Sequence, residues 1–199
     1  MNDRPKKSPG RPRNITADRV ILQTTLELLA EVGFDRLSIE AIAARAGVGK
    51  TTIYRRYPGK SELVADAIES IRAEVIIPDL GNLNDDIDAL IANAAQITLT
   101  PLGRKSVGMI MGSAASNSTF AQIYWKKYLA PRRQAFGAII DRAKARGEVD
   151  PDLDPDLVFD TMSGIMLYAL IFPTISTDWI VHVRQSIDLL MRRSIHPKS

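Results

Sequence analysis

The stretch Ser38–Lys60, S-I-E-A-I-A-A-R-A-G-V-G-K-T-T-I-Y-R-R-Y-P-G-K, constrains the fold more than any other part of the chain. Ser38 is a good helix N-cap, because its hydroxyl can accept from the free N–H groups of a first turn. Ile39, Ile42, Ala43 and Ala46 then recur at i, i+3, i+4 and i+7, which is one apolar helical face. Gly47 stands where the chain must leave that helix, a position that favours positive φ and therefore glycine. Val48 drops a side chain between this helix and the next. In the second helix Ile53 and Tyr57 form the inward face, while Lys50, Thr51, Thr52, Arg55 and Arg56 face outward. Pro58-Gly59 ends it. Small residues where two helices cross, and a second helix presenting hydroxyls and cations, describe a helix-turn-helix whose second helix fits a DNA major groove.

The flanks agree with that reading. Residues 1–14 hold three prolines, one glycine and five cations with only Asp3 opposing them, a composition that makes a mobile arm. Its G-R-P-R tract places Arg11 and Arg13 as candidates for a narrow minor groove. Residues 1–60 carry 12 Lys/Arg against 6 Asp/Glu, and the remainder 14 against 17, so a net charge of +3 conceals a basic first third. A polyanion partner is expected for that third alone. Thr16 to Val32 reads as a helix with Leu22, Leu26, Leu29 and Val32 in a stripe, closed by Gly33 with Phe34 beyond the cap. After Pro58-Gly59, Ser61 is the expected cap of a helix running toward Pro78, with Lys60 just ahead of it.

The rest of the chain keeps a helical period. Asp85–Leu99, Leu102–Ala115, a long helix from a Thr119 cap to Arg146 kinked at Pro131, Leu157–Phe172, and a last helix opened by Thr177 or Asp178 account for it. No alternating strand pattern or internal repeat is present, so the expected fold is all-α with about nine helices. The expected organisation is an arm (1–14), a helix-turn-helix domain (15–75) and a C-terminal domain (76–199). In the last of these, Met109, Met111, Trp125, Tyr128, Met162, Met166 and Phe172 are either ordinary core or the wall of a pocket for an apolar or aromatic small molecule. Gly103, Gly108 and Gly112 weaken the helix that carries them. The final two helices bear more apolar surface than one chain can cover, which points to a second copy.

Other chemistries find little support. Ala44–Thr51, A-R-A-G-V-G-K-T, fits a relaxed phosphate-loop pattern, and a nucleotide hydrolase using Lys50 and Thr51 is the alternative reading. That loop works after a buried strand, whereas an alanine-rich amphipathic helix precedes this one. The two histidines, His182 and His196, pair with no ordered carboxylate set, and neither G-x-S-x-G nor H-E-x-x-H occurs. No catalytic residue, metal or cofactor is expected. The chain has no cysteine, its strongest apolar run (Gly164–Phe172) is too short to span a bilayer, and its basic N-terminus lacks the apolar region of a secretory signal. A cytoplasmic location and no membrane partner are therefore expected.

With these elements placed, the contiguous run from Leu28 to Leu63 resembles the TetR (tetracycline-repressor-like) family of transcriptional regulators. G-F follows the first helix, S-x-x-x-I-A opens the second, A-G-V forms the turn, and Y-x-x-Y-x-x-K closes the unit. The resemblance covers roughly residues 15–75 and implies a homodimer, built through the last two helices, that binds a palindromic operator in double-stranded DNA and answers to a small-molecule effector. It implies phosphate contacts for Ser38, Tyr54 and Lys60, base contacts for Thr51, Thr52 and Arg55, and a base or backbone contact for Lys50. Arg56 and Tyr57 complete the candidate DNA-binding set. Gly49 departs from the serine or threonine common there in relatives, and offers no hydroxyl.

Overall fold

The computed structural model describes residues 15–72, 76–172 and 178–192. The elements are α1 (Ile15–Arg36), α2 (Ile39–Ala46), α3 (Lys50–Tyr54), α4 (Lys60–Glu69), α5 (Leu83–Thr98), α6 (Pro101–Ser116), α7 (Ser118–Tyr124), a π-helical turn (Trp125–Leu129), α8 (Ala130–Ala145), α9 (Pro155–Ile171) and α10 (Trp179–Arg192). With Ser118–Ala145 taken as one bent rod, the described residues form nine helices and no strand, the all-α fold expected. Arg11 and Arg13, and the expected boundary at residue 75, lie outside the described residues.

Two cores organise these helices. The first is made by α1–α4, with Ile21, Leu28, Ile42, Ile53, Leu63 and Ile68 fully or nearly fully buried, and is completed by Ile110, Phe120 and Tyr124 from α6 and α7. The second gathers Ile87 and Ile91 of α5, Phe136, Ile139 and Ile140 of α8, Met162 of α9, and Val183 and Ile187 of α10. An aromatic file lies along the first core: Phe34 meets Phe120 edge-on at 5.3 Å between centroids, Phe120 stacks on Tyr124 at 5.7 Å, and Tyr124 meets Tyr128 at 5.4 Å.

Helix ends follow sequence chemistry, with three shifts. Ser38 Oγ accepts from Ala41 N at 3.1 Å as expected, and Gly33 and Gly47 hold φ of 75° and 67°. Gly33 interrupts α1 at its last turn. Ser61, the expected cap of α4, instead lies buried inside it, because the helix begins two residues earlier, from a cap at Gly59. Asn117 rather than Thr119 caps α7, accepting from Phe120 N at 2.8 Å. A π turn stands just before Pro131, where the sequence predicts a kink. Proline donates no N–H, and a wider turn leaves room for its ring.

The glycines of α6 are not equivalent. A methyl group on Gly103 would stand 2.0 Å from the Ile97 carbonyl oxygen, so this glycine allows α6 to close on the end of α5, whereas Gly108 and Gly112 meet nothing within 4 Å. Gly103→Ala should therefore lower stability by about 1–3 kcal/mol through overpacking. Gly108→Ala should raise it by up to about 1 kcal/mol through helix propensity. Urea unfolding of the two variants checks the pair; equal effects would show that the close approach is unimportant.

Candidate functional site

The turn between α2 and α3 is locked from within. Val48 N donates to Ala43 O at 3.0 Å beyond the left-handed Gly47, and Thr52 N donates to Gly49 O at 2.8 Å as α3 starts. Ile53 is fully buried and anchors α3 from below. Lys50, Thr51, Tyr54 and Arg55 stand exposed on the opposite face, Tyr54 with 52% of its surface accessible, and Thr52 is half-buried at the rim. Arg55 forms no ion pair among the described residues. Lys50 Nζ rests 3.3 Å from Glu40 Oε1, both mostly exposed. Glu40 sits in the first turn of α2, where its own backbone N–H and then Lys50 hold its carboxyl below the ordinary value.

Three of the candidate residues look inward instead. Tyr57 is buried in the first core, and burial, aided by the charge of Asp18, pushes its phenol up. Arg56 turns back onto α1, paired with Asp18 and donating to Thr52 O at 2.9 Å. Lys60 donates from Nζ to the carbonyls of Phe34 (2.9 Å), Leu37 (3.0 Å) and, longer, Asp35 (3.5 Å), and lies over the Phe34 ring at 4.6 Å. These are the carbonyls left without partners where α1 ends, and a cation satisfies them well. Sequence spacing alone cannot show this, since Lys60 and Phe34 are 26 residues apart.

The phosphate-loop alternative fails on geometry. Ala44–Ala46 is the last turn of α2 rather than the end of a strand, and Lys50 lies on the exposed face beside Glu40.

Where the two cores meet lies a cavity of about 290 Å³. Of the candidate pocket residues, Met111, Met162 and Met166 line it, together with Leu90, Ile110, Phe136 and Trp179. Four others sit elsewhere. Met109 packs on the first core, Trp125 is 41% exposed beside Arg133, Tyr128 bonds to α4, and Phe172 is exposed against Tyr168. The π turn is the reason for two of these. It holds an extra residue per turn, so Trp125 and Tyr128 leave the face that a 3.6-residue period assigns them, and Tyr124 and Leu129 face the cavity instead.

One polar cluster was not anticipated from sequence. Asp66 and Glu69, neighbours on one face of α4, are gripped by the α7–α8 rod. Tyr128 donates to Asp66 Oδ1 at 2.6 Å and Lys127 pairs with the same carboxylate. Arg132 Nη2 donates to Glu69 Oε2 at 2.6 Å, and Tyr124 donates to Glu69 Oε1. Burial first, then the adjacent carboxylates, push both phenols well above their ordinary range, so both remain donors. The visible signal was the i, i+3 spacing of Asp66, Glu69 and Arg72; the partners some 60 residues away carry no local signature.

Comparison with known proteins agrees with this geometry. Residues 21–67 match the family described as bacterial regulatory proteins, tetR family, and residues 77–186 match the tetracyclin repressor-like C-terminal domain. The HTH-type transcriptional regulator Rv1556 of Mycobacterium tuberculosis is 32% identical over 86% of this chain and 83% of its own length. The DNA-binding transcriptional repressor TetR of Mycobacteroides abscessus is 29% identical over 79% and 84%. Among solved structures, the TetR family transcription regulator SCO0332 superposes with a TM-score of 0.64 at 25% identity, covering 91% of this chain and 99% of that one.

The carbonyl cage of Lys60 gives a test that separates positioning from phosphate contact. Lys60→Met should lower stability by about 1–3 kcal/mol, the range for hydrogen bonds to a charged group. It should leave the slope of log affinity against log salt for DNA unchanged, whereas Lys50→Ala should reduce that slope by about 1. A reduced slope in Lys60→Met, measured by anisotropy titration across salt concentrations, would mean that Lys60 reaches a phosphate.

Proposed function

This chain belongs to the tetR family of bacterial regulatory proteins and is a DNA-binding transcriptional regulator; from there we propose that it is a small-molecule-responsive repressor that binds a palindromic operator as a homodimer in the cytoplasm. The observation that carries the reading is the exposed face of α3. It offers two hydroxyl-bearing side chains and two cations (Thr51, Tyr54, Lys50 and Arg55) on a helix fixed from behind by Ile53. Thr51, Thr52 and Arg55 are assigned to base edges, and Ser38, Tyr54 and Lys50 to the backbone. Arg56, Tyr57 and Lys60 hold the unit in shape, and Arg11 and Arg13 follow the adjacent minor groove. The DNA-binding unit is taken to run from residue 15 to about 75, with effector binding and dimerisation in the remainder.

Dimerisation is supported by α9 and α10, which leave Leu157, Tyr168, Phe172, Val181 and Leu189 between 44% and 68% exposed. A second copy covering them gives a two-fold assembly. It would set two α3 helices about 34–36 Å apart, one turn of DNA. Responsiveness is supported by the cavity at the junction of the cores. Its wall includes Tyr124 and Arg132, the residues that grip Glu69 of α4, so filling it biases the placement of the last helix of the DNA-binding unit. A ligand favouring a different spacing then lowers operator affinity by population shift. Repression fits the relative from Mycobacteroides abscessus.

Anisotropy titration against fragments from around the coding region, with no added ligand, tests the reading. A two-fold-symmetric site should be preferred, and affinity should fall steeply with salt. Arg55→Ala should cost about 1–3 kcal/mol at the preferred site and relax preference at one base pair in each half-site. Equal binding to all fragments, or an Arg55→Ala loss that is the same on every sequence, would refute base reading by α3.

A further inference from the structure

We propose that the cavity between the two cores takes an amphipathic organic anion, with an apolar body among the α5, α8 and α9 side chains and one carboxylate-type acid group seated between Arg72 and Arg132. This rests on the ligand-responsive reading above and supplies the chemistry of its effector. The first observation is the sign of the wall. Arg72 and Arg132 are the only charged side chains lining the cavity among the described residues, and both are cationic. Tyr124, Ser163, Asn93 and Thr98 add polar edges without adding an acid.

The second observation is that these two cations share one carboxylate, which Arg132 and Tyr124 already engage. Glu69 Oε2 takes its short bond from Arg132, and Glu69 Oε1 takes the Tyr124 hydroxyl. Arg72 is left on the flank: its Nε lies 3.5 Å from Glu69 Oε1 with no hydrogen-bond acceptor among the described residues, and its Nη1 reaches Ser106 Oγ only at 3.4 Å. The Arg72 and Glu69 side chains are 12% and 10% exposed, so solvent does little for the surplus. Two guanidinium groups against one carboxylate leave a positive charge at the edge of an apolar chamber, where an incomplete pairing is costly. An acid group entering from the cavity supplies the missing acceptor, and a planar carboxylate matches a guanidinium fork. A cationic ligand would meet two arginines, and a neutral one would leave Arg72 as it stands. The rest of the wall (Leu90, Met111, Phe136, Met162 and Met166 among it) asks for hydrocarbon. A volume of about 290 Å³ limits the guest to a small one.

The chain carries its own reporter. Trp179 lines the cavity and Trp125 lies outside it, and these are the two tryptophans of the sequence. In the full chain with Trp125→Phe, emission from Trp179 is titrated with decanoate, decanol and decylamine near neutral pH. Decanoate should bind at least about tenfold more tightly than decanol, equivalent to ~1.4 kcal/mol, and decylamine more weakly than either. Adding Arg72→Gln should bring decanoate to within about threefold of decanol, with decanol still binding saturably, which also shows that the chamber is intact. Decanol binding as tightly as decanoate, decylamine binding best, or no saturable change with any of the three would each overturn the assignment. So would an Arg72→Gln variant that keeps the full preference for decanoate. The operator titrations contain no ligand, so their outcome is independent of this one.

Discussion

Glu69 on α4 receives Tyr124, Arg132 and the flank of Arg72 together, and with Asp66 it ties the DNA-binding helices to the C-terminal helices through directional polar contacts. Packing alone does not fix their placement. The contacts of Phe34, Phe120 and Tyr124 pack α7 against the end of α1 within the first core, but apolar contact is non-directional and tolerates sliding. A buried carboxylate held by the Tyr124 hydroxyl and the Arg132 guanidinium has few acceptable geometries. Such clusters contribute little net stability once desolvation is counted, yet removing one member is expensive. Geometry is therefore the main product of the cluster: it fixes where α4 sits against the α7–α8 rod.

The same logic explains α1, which carries no chemistry of its own. Its side chains and carbonyls hold the parts that do. Glu31 pairs with Arg45 of α2 at 2.7 Å, Asp18 with Arg56 beyond α3, and the carbonyls at its C-terminal end hold Lys60 at the start of α4. Each exposed pair counts for little energetically, but together they fix three short helices on one long one. That frame leaves the outer face of α3 free of ion-pair partners among the described residues, apart from the light contact between Lys50 and Glu40.

Much of the reading unit was legible in sequence because its determinants are local. The Ser38 cap, the left-handed Gly47 and the buried Ile53 follow from backbone chemistry within a few residues. Legibility ends where partners are remote. Nothing in the spacing around Lys60 shows that it serves Phe34, and nothing near Tyr128 shows that it serves Asp66, 62 residues earlier. Three of the seven candidate pocket residues line the cavity, and the division has a physical reason. Met111, Met162 and Met166 lie on regular helices where the 3.6-residue period holds, whereas Trp125 and Tyr128 lie in a π turn where it does not. Phe172 stands at the end of α9, past the last turn that could direct it inward. The arginines that give the cavity its sign could not be singled out, since a helical arginine is usually solvated.

The most direct measurement is a double-mutant cycle on operator affinity, using Glu69→Gln, Arg132→Met and the pair. Neither residue lies on the α3 face, so any effect must pass through the seat of α4. If the cluster sets that seat, the two changes are non-additive, with a coupling of about 1–3 kcal/mol. If the losses instead add to within about 0.5 kcal/mol, or operator affinity does not change, the Glu69 cluster does not control the reading helices.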